Sequence, residues 1–340
     1  MALRSWLLNP EDYHFLFQAQ NLADFFKYLE TTVYGAALKG WDWQAPNAEA
    51  EFNRRLYGEL ARSFRKVGRG LKKREALFIG RLVGRLEAEN LKLVLRALHQ
   101  GLPSDPAVRL LIPLTGLSPL NFAELVNQGT IKALVDYLAP TTWGPPLTRG
   151  LPRYLRELSL FPLEMSLDIW VFDYLRQGLA HLSKADRDLA GHLLDTLAEI
   201  TNLIWVARFR ELFGLPGEEV YQYLPAAGIF REPSRRQYLA FSENLTQVTE
   251  RLPRRPYGEV LAGATNIAAA EERLGRYWVR NLERILARAP FQIGLPIAYL
   301  FLKELEIHNL ITLMTGILLR APANLLKSHL QGWAAEGTHV

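Results

Sequence analysis

Cysteine is absent from this 340-residue chain, which excludes a disulfide framework and any thiolate metal site. The absence fits a reducing cytoplasm, or a thermophile's avoidance of labile residues. Long hydrophobic runs are missing as well. The most apolar stretch, PFQIGLPIAYLFL at 290–302, is shorter than the roughly 20 residues a spanning helix needs, and Pro296 interrupts it. The opening MALRSWLLNPEDYH has too short an apolar patch for a signal peptide, with acids directly behind it. These absences predict a soluble, cytoplasmic chain whose membrane role, where it has one, is peripheral.

Catalytic signatures are equally scarce. There is no Gly-Lys-Ser or Gly-Lys-Thr, hence no phosphate loop. Gly68-Arg-Gly70 stands alone without a preceding strand and does not make a dinucleotide site. The seven histidines never adopt His-Glu-x-x-His spacing, and His308 reads as an interface or half-exposed residue, not a base. No Gly-x-Ser-x-Gly elbow occurs. The acid pairs Glu218-Glu219 and Glu271-Glu272 sit at helix starts, where the helix dipole favours anions. The expectation is a non-enzyme with no catalytic residue, no cofactor, no metal and no small-molecule substrate.

What is present is helix. A hydrophobic fraction of 49% against 22% charged residues gives a folded globular chain, not a disordered one. Strand-like alternation is rare, while Leu, Ala, Arg and Glu recur at three- and four-residue spacing. Ile79, Leu82, Leu86, Asn90, Leu93 and Ala97 form one apolar stripe. Leu194, Ala198, Asn202, Trp205, Phe209 and Leu212 form a second, and Leu302, Leu305, Asn309, Thr312 and Gly316 a third. The class is all-α.

The three stripes share a motif. Glu87-Ala-Glu-Asn90-Leu91, Glu199-Ile-Thr-Asn202-Leu203 and Glu306-Ile-His-Asn309-Leu310 each place an acid three residues before an asparagine. The asparagines are about 110 residues apart, a period that marks internal duplication. An aromatic-glycine pair repeats in step, as Tyr34-Gly35, Trp143-Gly144 and Tyr257-Gly258, about 55 residues before each asparagine. Two signals in one register predict three helical modules, at 1–118, 119–230 and 231–340.

Asparagine is a poor helix former, so Asn90 and Asn202 on apolar stripes call for a reason. A buried unpaired amide costs about 1–3 kcal/mol, which predicts a bond to loop backbone of the same module. The acid one turn earlier can pair with an arginine. The motif therefore reads as a structural clamp of a helix to its loop rather than a ligand site.

These residues resemble the family of C subunits of V/A-type ATPases, equivalent to the d subunit of the vacuolar enzyme. The likeness is carried by LADFFKYLETTVYGAAL at 22–38, ENLKLVLRAL at 89–98 and YLFLKELEIHNL at 299–310, the last with Lys303, Glu304, Glu306 and Asn309. It covers roughly 12–322. The chain departs from the family at Tyr13, which is followed by His-Phe-Leu-Phe-Gln with no arginines, and at Ile204, where a basic residue often follows Asn-Leu. The resemblance implies three helical units in a funnel-like, pseudo-threefold arrangement. It also implies a non-catalytic rotor adaptor between the D and F proteins of the central stalk and the proteolipid (c/K/L) ring. The membrane part of the stator is a further candidate contact.

Two basic groups stand out. Arg62, Arg65, Lys66, Arg69, Lys72, Lys73, Arg74, Arg81 and Arg85 are opposed mainly by Glu75. Arg231, Arg235, Arg236, Arg254 and Arg255 lie on apparent loops. A solvated surface explains both. A docking face for shaft or stator is the functional reading. The alternative is a helical scaffold binding acidic protein or RNA through Arg62 to Arg85, but a helix-turn-helix, zinc finger or stacking platform is lacking, so nucleic acid is not expected.

Overall fold

A computed structural model describes residues 3–288 and 292–330. Pro290 and Phe291 of the apolar stretch, His339, and the extreme ends of the first and third modules lie outside the described residues. Among the described residues the regular structure is helical apart from one isolated bridge, Thr115 to Ser118. The all-α class holds. No helix among them is long and apolar enough to cross a membrane.

The main helices, in chain order, are α1 (Pro10–Gln18), α2 (Leu22–Leu29), α3 (Ala48–Arg69), α4 (Lys73–Gln100), α5 (Ile131–Leu138), α6 (Gly144–Glu157), α7 (Phe161–Gly178), α8 (Lys184–Ala207), α9 (Leu245–Glu250), α10 (Ile267–Arg288), α11 (Gly294–Leu318) and α12 (Ala323–His329). By packing, the chain falls into two units, Trp41–Ser183 and Met1–Gly40 with Lys184–Val340. In the first, α4 packs against α3 and α7, and α6 lies on α7. In the second, α11 packs against α10, α8, α2 and α12. The helices α4, α8 and α11 carry the three asparagines.

Their ends are built alike. Gly101 and Gly214 take left-handed backbone (φ 64° and 62°), and Arg320 does so at the third end (φ 51°). The next amide then reaches back to a helix carbonyl: Leu102 to Ala97, Leu215 to Phe209 and Ala321 to Gly316, at 2.8–2.9 Å. Left-handed backbone suits glycine because no Cβ crowds the following carbonyl. Arginine holds the same place under strain.

A shorter helix precedes each aromatic. Asn21, Thr130 and Asn244 cap α2, α5 and α9 by accepting the amides of Asp24, Ala133 and Gln247 at 2.9, 3.1 and 3.0 Å. Such caps satisfy amides that the first helical turn leaves open. Each cap lies 13 residues before Tyr34, Trp143 or Tyr257, so the helix length sets where the aromatic emerges.

Candidate functional site

The glycine after each aromatic has a steric reason. A Cβ on Gly35 would meet the Glu30 carbonyl oxygen at 2.1 Å, on Gly144 that of Ala139 at 2.2 Å, and on Gly258 that of Pro253 at 2.9 Å. The chain folds back on itself there, and only glycine permits the approach. The aromatic just before is thereby turned inward; Tyr34, Trp143 and Tyr257 are all buried.

Each aromatic ends on a carboxylate. In the Trp41–Ser183 unit, Trp143 Nε1 donates to Glu87 Oε2 at 2.9 Å. One turn on, Asn90 Nδ2 donates to the Ile112 carbonyl at 2.9 Å and Ile112 N–H donates back to Asn90 Oδ1 at 2.8 Å. This two-way bond satisfies a side-chain amide in the core with a loop's backbone.

In the other unit, the Tyr257 hydroxyl donates to Glu199 Oε2, and the Ile229 amide donates to Oε1 at 2.6 Å. Asn202 Nδ2 donates to the Pro225 carbonyl at 2.9 Å. Pro225 has no N–H, and Asn202 Oδ1 finds no partner among the described residues. Burial pushes the Glu199 carboxyl above its ordinary range, against the hydrogen bonds from Tyr257 and Ile229. Burial first, and the Glu199 charge second, push the Tyr257 hydroxyl up strongly. The proton therefore stays on the tyrosine.

The same unit holds the third set. The Tyr34 hydroxyl donates to Glu306 Oε1 at 2.6 Å, and the Leu8 amide donates to Oε2 at 2.6 Å. Lys303 Nζ bonds Glu306 Oε1 and the Trp6 carbonyl, each at 2.9 Å, and stands 4.0 Å from the centre of the Tyr34 ring. Asn309 is hydrogen-bonded to the Tyr13 side chain; burial, then the Glu306 charge, raise the Tyr13 hydroxyl well above its usual range. Leu91, Leu203 and Leu310, each next to an asparagine, are core residues.

The geometry thus gathers nine of the twelve motif residues into three carboxylate–aromatic–asparagine sets, with the three leucines in the core beside them and with differences from the sequence reading. Aromatic side chains, not arginines, meet the acids. Each aromatic also serves a different acid from the one that follows it in sequence: Tyr34 reaches Glu306, Trp143 reaches Glu87, and Tyr257 reaches Glu199. Sequence reasoning missed the part played by Lys303, since a lysine three residues before a glutamate reads as an ordinary helix-surface pair. It also missed the caps at Asn21, Thr130 and Asn244.

The basic residues fare differently. Arg62 pairs with Glu59, Arg65 donates to the Thr115 carbonyl, and Arg81 donates to the Tyr174 carbonyl while lying over the Tyr174 ring. Lys66, Arg69, Lys72, Lys73 and Arg74 are all exposed. In the second group Arg231 pairs with Asp195, Arg235 with Glu232, and Arg254 and Arg255 both with Glu259. Arg236 lies over the Tyr221 ring and donates to its hydroxyl. Local acids offset much of that second group. Neither group supports the scaffold alternative. Among the described residues no cluster of three His, Asp or Glu is placed to hold a metal.

The sequence profile of the family described as "ATP synthase (C/AC39) subunit" matches residues 1–329. Curated proteins named as the C subunits of A-type ATP synthases are similar to the chain. That of Methanocaldococcus jannaschii is 26% identical over 239 residues, 68% of this chain and 59% of the relative. That of Methanobrevibacter smithii is 25% identical over 231 residues, 66% of this chain and 60% of the relative. That of Thermococcus gammatolerans is 22% identical over 314 residues, 91% of this chain and 81% of the relative. The chain spans less than two thirds of the length of the first two.

Proposed function

The chain belongs to the ATP synthase (C/AC39) subunit family, a structural and non-catalytic part of a rotary ATPase, and from that premise we propose that it is the central-rotor adaptor. Its partners are the D and F proteins of the stalk on one side and the proteolipid (c/K/L) ring on the other, with the membrane part of the stator as a further contact. It works at the cytoplasmic face, peripheral to the membrane, and turns with shaft and ring for ion transport. Three modules, close to 1–118, 119–230 and 231–340, supply a funnel-like pseudo-threefold body.

The observation that supports this reading is the repeated clamp. An adaptor that passes torque must not yield internally, and each of three long helices is fastened by a buried carboxylate. A hydrogen bond to a charged group contributes about 1.5–3 kcal/mol. Breaking the bond between aromatic and carboxylate strands a charge in a dry core, which makes that bond stiff in each clamp. The exposed Arg69, Lys72, Lys73 and Arg74 offer an acidic shaft or stator surface a site of complementary charge.

The reading is tested by affinity-tagging the chain in native membranes. Stalk and proteolipid proteins should co-purify with it, and its depletion should lower ion pumping more than ATP hydrolysis. Recovery of the tagged chain with neither partner overturns the assignment.

A further inference from the structure

The loops that fasten the first two asparagine helices follow those helices in sequence. Ile112 comes 22 residues after Asn90, and Ile229 comes 30 residues after Glu199. Glu306 is served from the other end of the chain. Leu8 N–H donates to Glu306 Oε2 at 2.6 Å, as Ile229 N–H donates to Glu199 Oε1 at 2.6 Å, and in both sets a tyrosine hydroxyl takes the other carboxylate oxygen. The likeness extends outward. A short 3-10 turn lies at Arg4–Trp6 and another at Gly228–Phe230, each followed by a helix that begins on proline, at Pro10 and at Pro233.

We propose that residues 3–9 are the third copy of this loop, seated as a detachable peptide ligand in a site formed by Lys303, Glu306, Tyr34 and Tyr299. The site recognises a segment leaving a 3-10 turn through one extended residue, Leu7, with a backbone carbonyl before it and a backbone amide after it. Lys303 takes the Trp6 carbonyl and Glu306 takes the Leu8 amide. Trp6 packs edge-on against Tyr299, with ring centres 5.8 Å apart.

The segment is detachable for two reasons. Trp6 and Lys303 are 297 residues apart in sequence, so folding and not local connectivity holds the segment on its clamp helix. Its packing is also loose: Leu3, Leu7 and Leu8 are only half-buried and border an open groove of about 630 Å³ whose other side includes Leu286, Leu302 and Leu305. Apolar groups facing an open groove forfeit the dispersion contacts that a filled core supplies. None of residues 3–9 is buried, and this exposure beside an open groove puts the segment at the low-stability end of the fold. None of this depends on the rotor reading.

Hydrogen exchange followed by mass spectrometry on the full chain, in mild denaturant, tests it. Amides of residues 3–9 should open about tenfold more often than those of 110–114 and 227–231. Lys303→Met should raise exchange in 3–9 by about a further tenfold and leave 110–114 unchanged. Should that variant not fold, Leu8→Pro deletes the amide bonded to Glu306 without touching α11, and the same selective rise is expected. Opening of all three loops in step, or a variant that loosens all three together, overturns the proposal.

Discussion

Asn202 holds Pro225 by one hydrogen bond where its counterpart Asn90 holds Ile112 by two. Asn202 Nδ2 donates to the Pro225 carbonyl at 2.9 Å, and proline has no amide proton to return. An Asn202 Oδ1 without a partner among the described residues is the consequence.

The two asparagines should therefore differ in worth. Asn90→Leu strands both the amide and the carbonyl of Ile112, and each stranded group costs about 1–3 kcal/mol. Asn202→Leu leaves the Pro225 carbonyl still accepting from the Ala227 amide at 3.1 Å and removes a buried oxygen that was already unsatisfied, so it should cost clearly less. Urea unfolding of the two variants decides this; equal losses contradict it. Pro225→Ala supplies the missing amide, worth about 0.5–1.5 kcal/mol, against about 0.4–1 kcal/mol from freeing the unfolded chain. It should fall within about 1 kcal/mol of the parent.

Arg320 is the one strained copy of the helix-ending turn that Gly101 and Gly214 make without strain. Arg320→Gly should stabilise the chain by about 0.5–1 kcal/mol, relief of left-handed strain outweighing the added freedom of the unfolded state. Thermal melting reads this directly. A lowered melting temperature shows that the arginine side chain contributes more than its backbone gives up.

Tyr34→Phe keeps the ring beside the Lys303 ammonium and deletes the hydroxyl that serves Glu306. The expected loss is about 1.5–3 kcal/mol. Tyr34→Ala also empties the core position and should cost about 3–5 kcal/mol. Denaturant midpoints for the two variants test the order; a neutral Tyr34→Phe removes the carboxylate clamp from the account of stability.

Glu199 gives a pH dependence of definite sign. Burial raises its folded-state pKa above the unfolded value, so the fold binds this proton more tightly than the unfolded chain does. The stability it contributes is fully present below the unfolded pKa and is lost as pH rises through the raised one. Relative to Glu199→Gln, the parent should therefore gain stability at acid pH and lose it toward neutrality. Paired unfolding curves at about pH 4 and pH 7 measure this difference; a gap independent of pH refutes it.

Much of the local architecture was legible in residues. The stripes through Asn90, Asn202 and Asn309 lie on α4, α8 and α11 because a helix repeats every 3.6 residues, except that the second runs past α8 into a π turn at Arg208–Leu212, where Leu212 is exposed. The need for asparagine to find a backbone partner was equally plain, since an unpaired amide in a core is costly. The role of Lys303 was not, because a lysine near a glutamate reads first as a surface pair, and its burial depends on what covers it. The basic group at 231–255 was partly offset by acids already legible nearby, Glu232 three residues before Arg235 and Glu259 four after Arg255, whereas Asp195 comes to Arg231 only when the chain folds.

The amino-acid sequence alone determined the helical class, the three copies of acid, asparagine and aromatic, and their common spacing, since each follows from periodicity along the chain. Tertiary structure alone decided which aromatic meets which acid. Tyr34 and Trp143 stand at nearly equal distances in sequence from Glu87, one before and one after, so spacing does not choose between them. A hydrogen bond forms between atoms near in space, and packing brought Trp143 to Glu87 and carried Tyr34 to Glu306, 272 residues away.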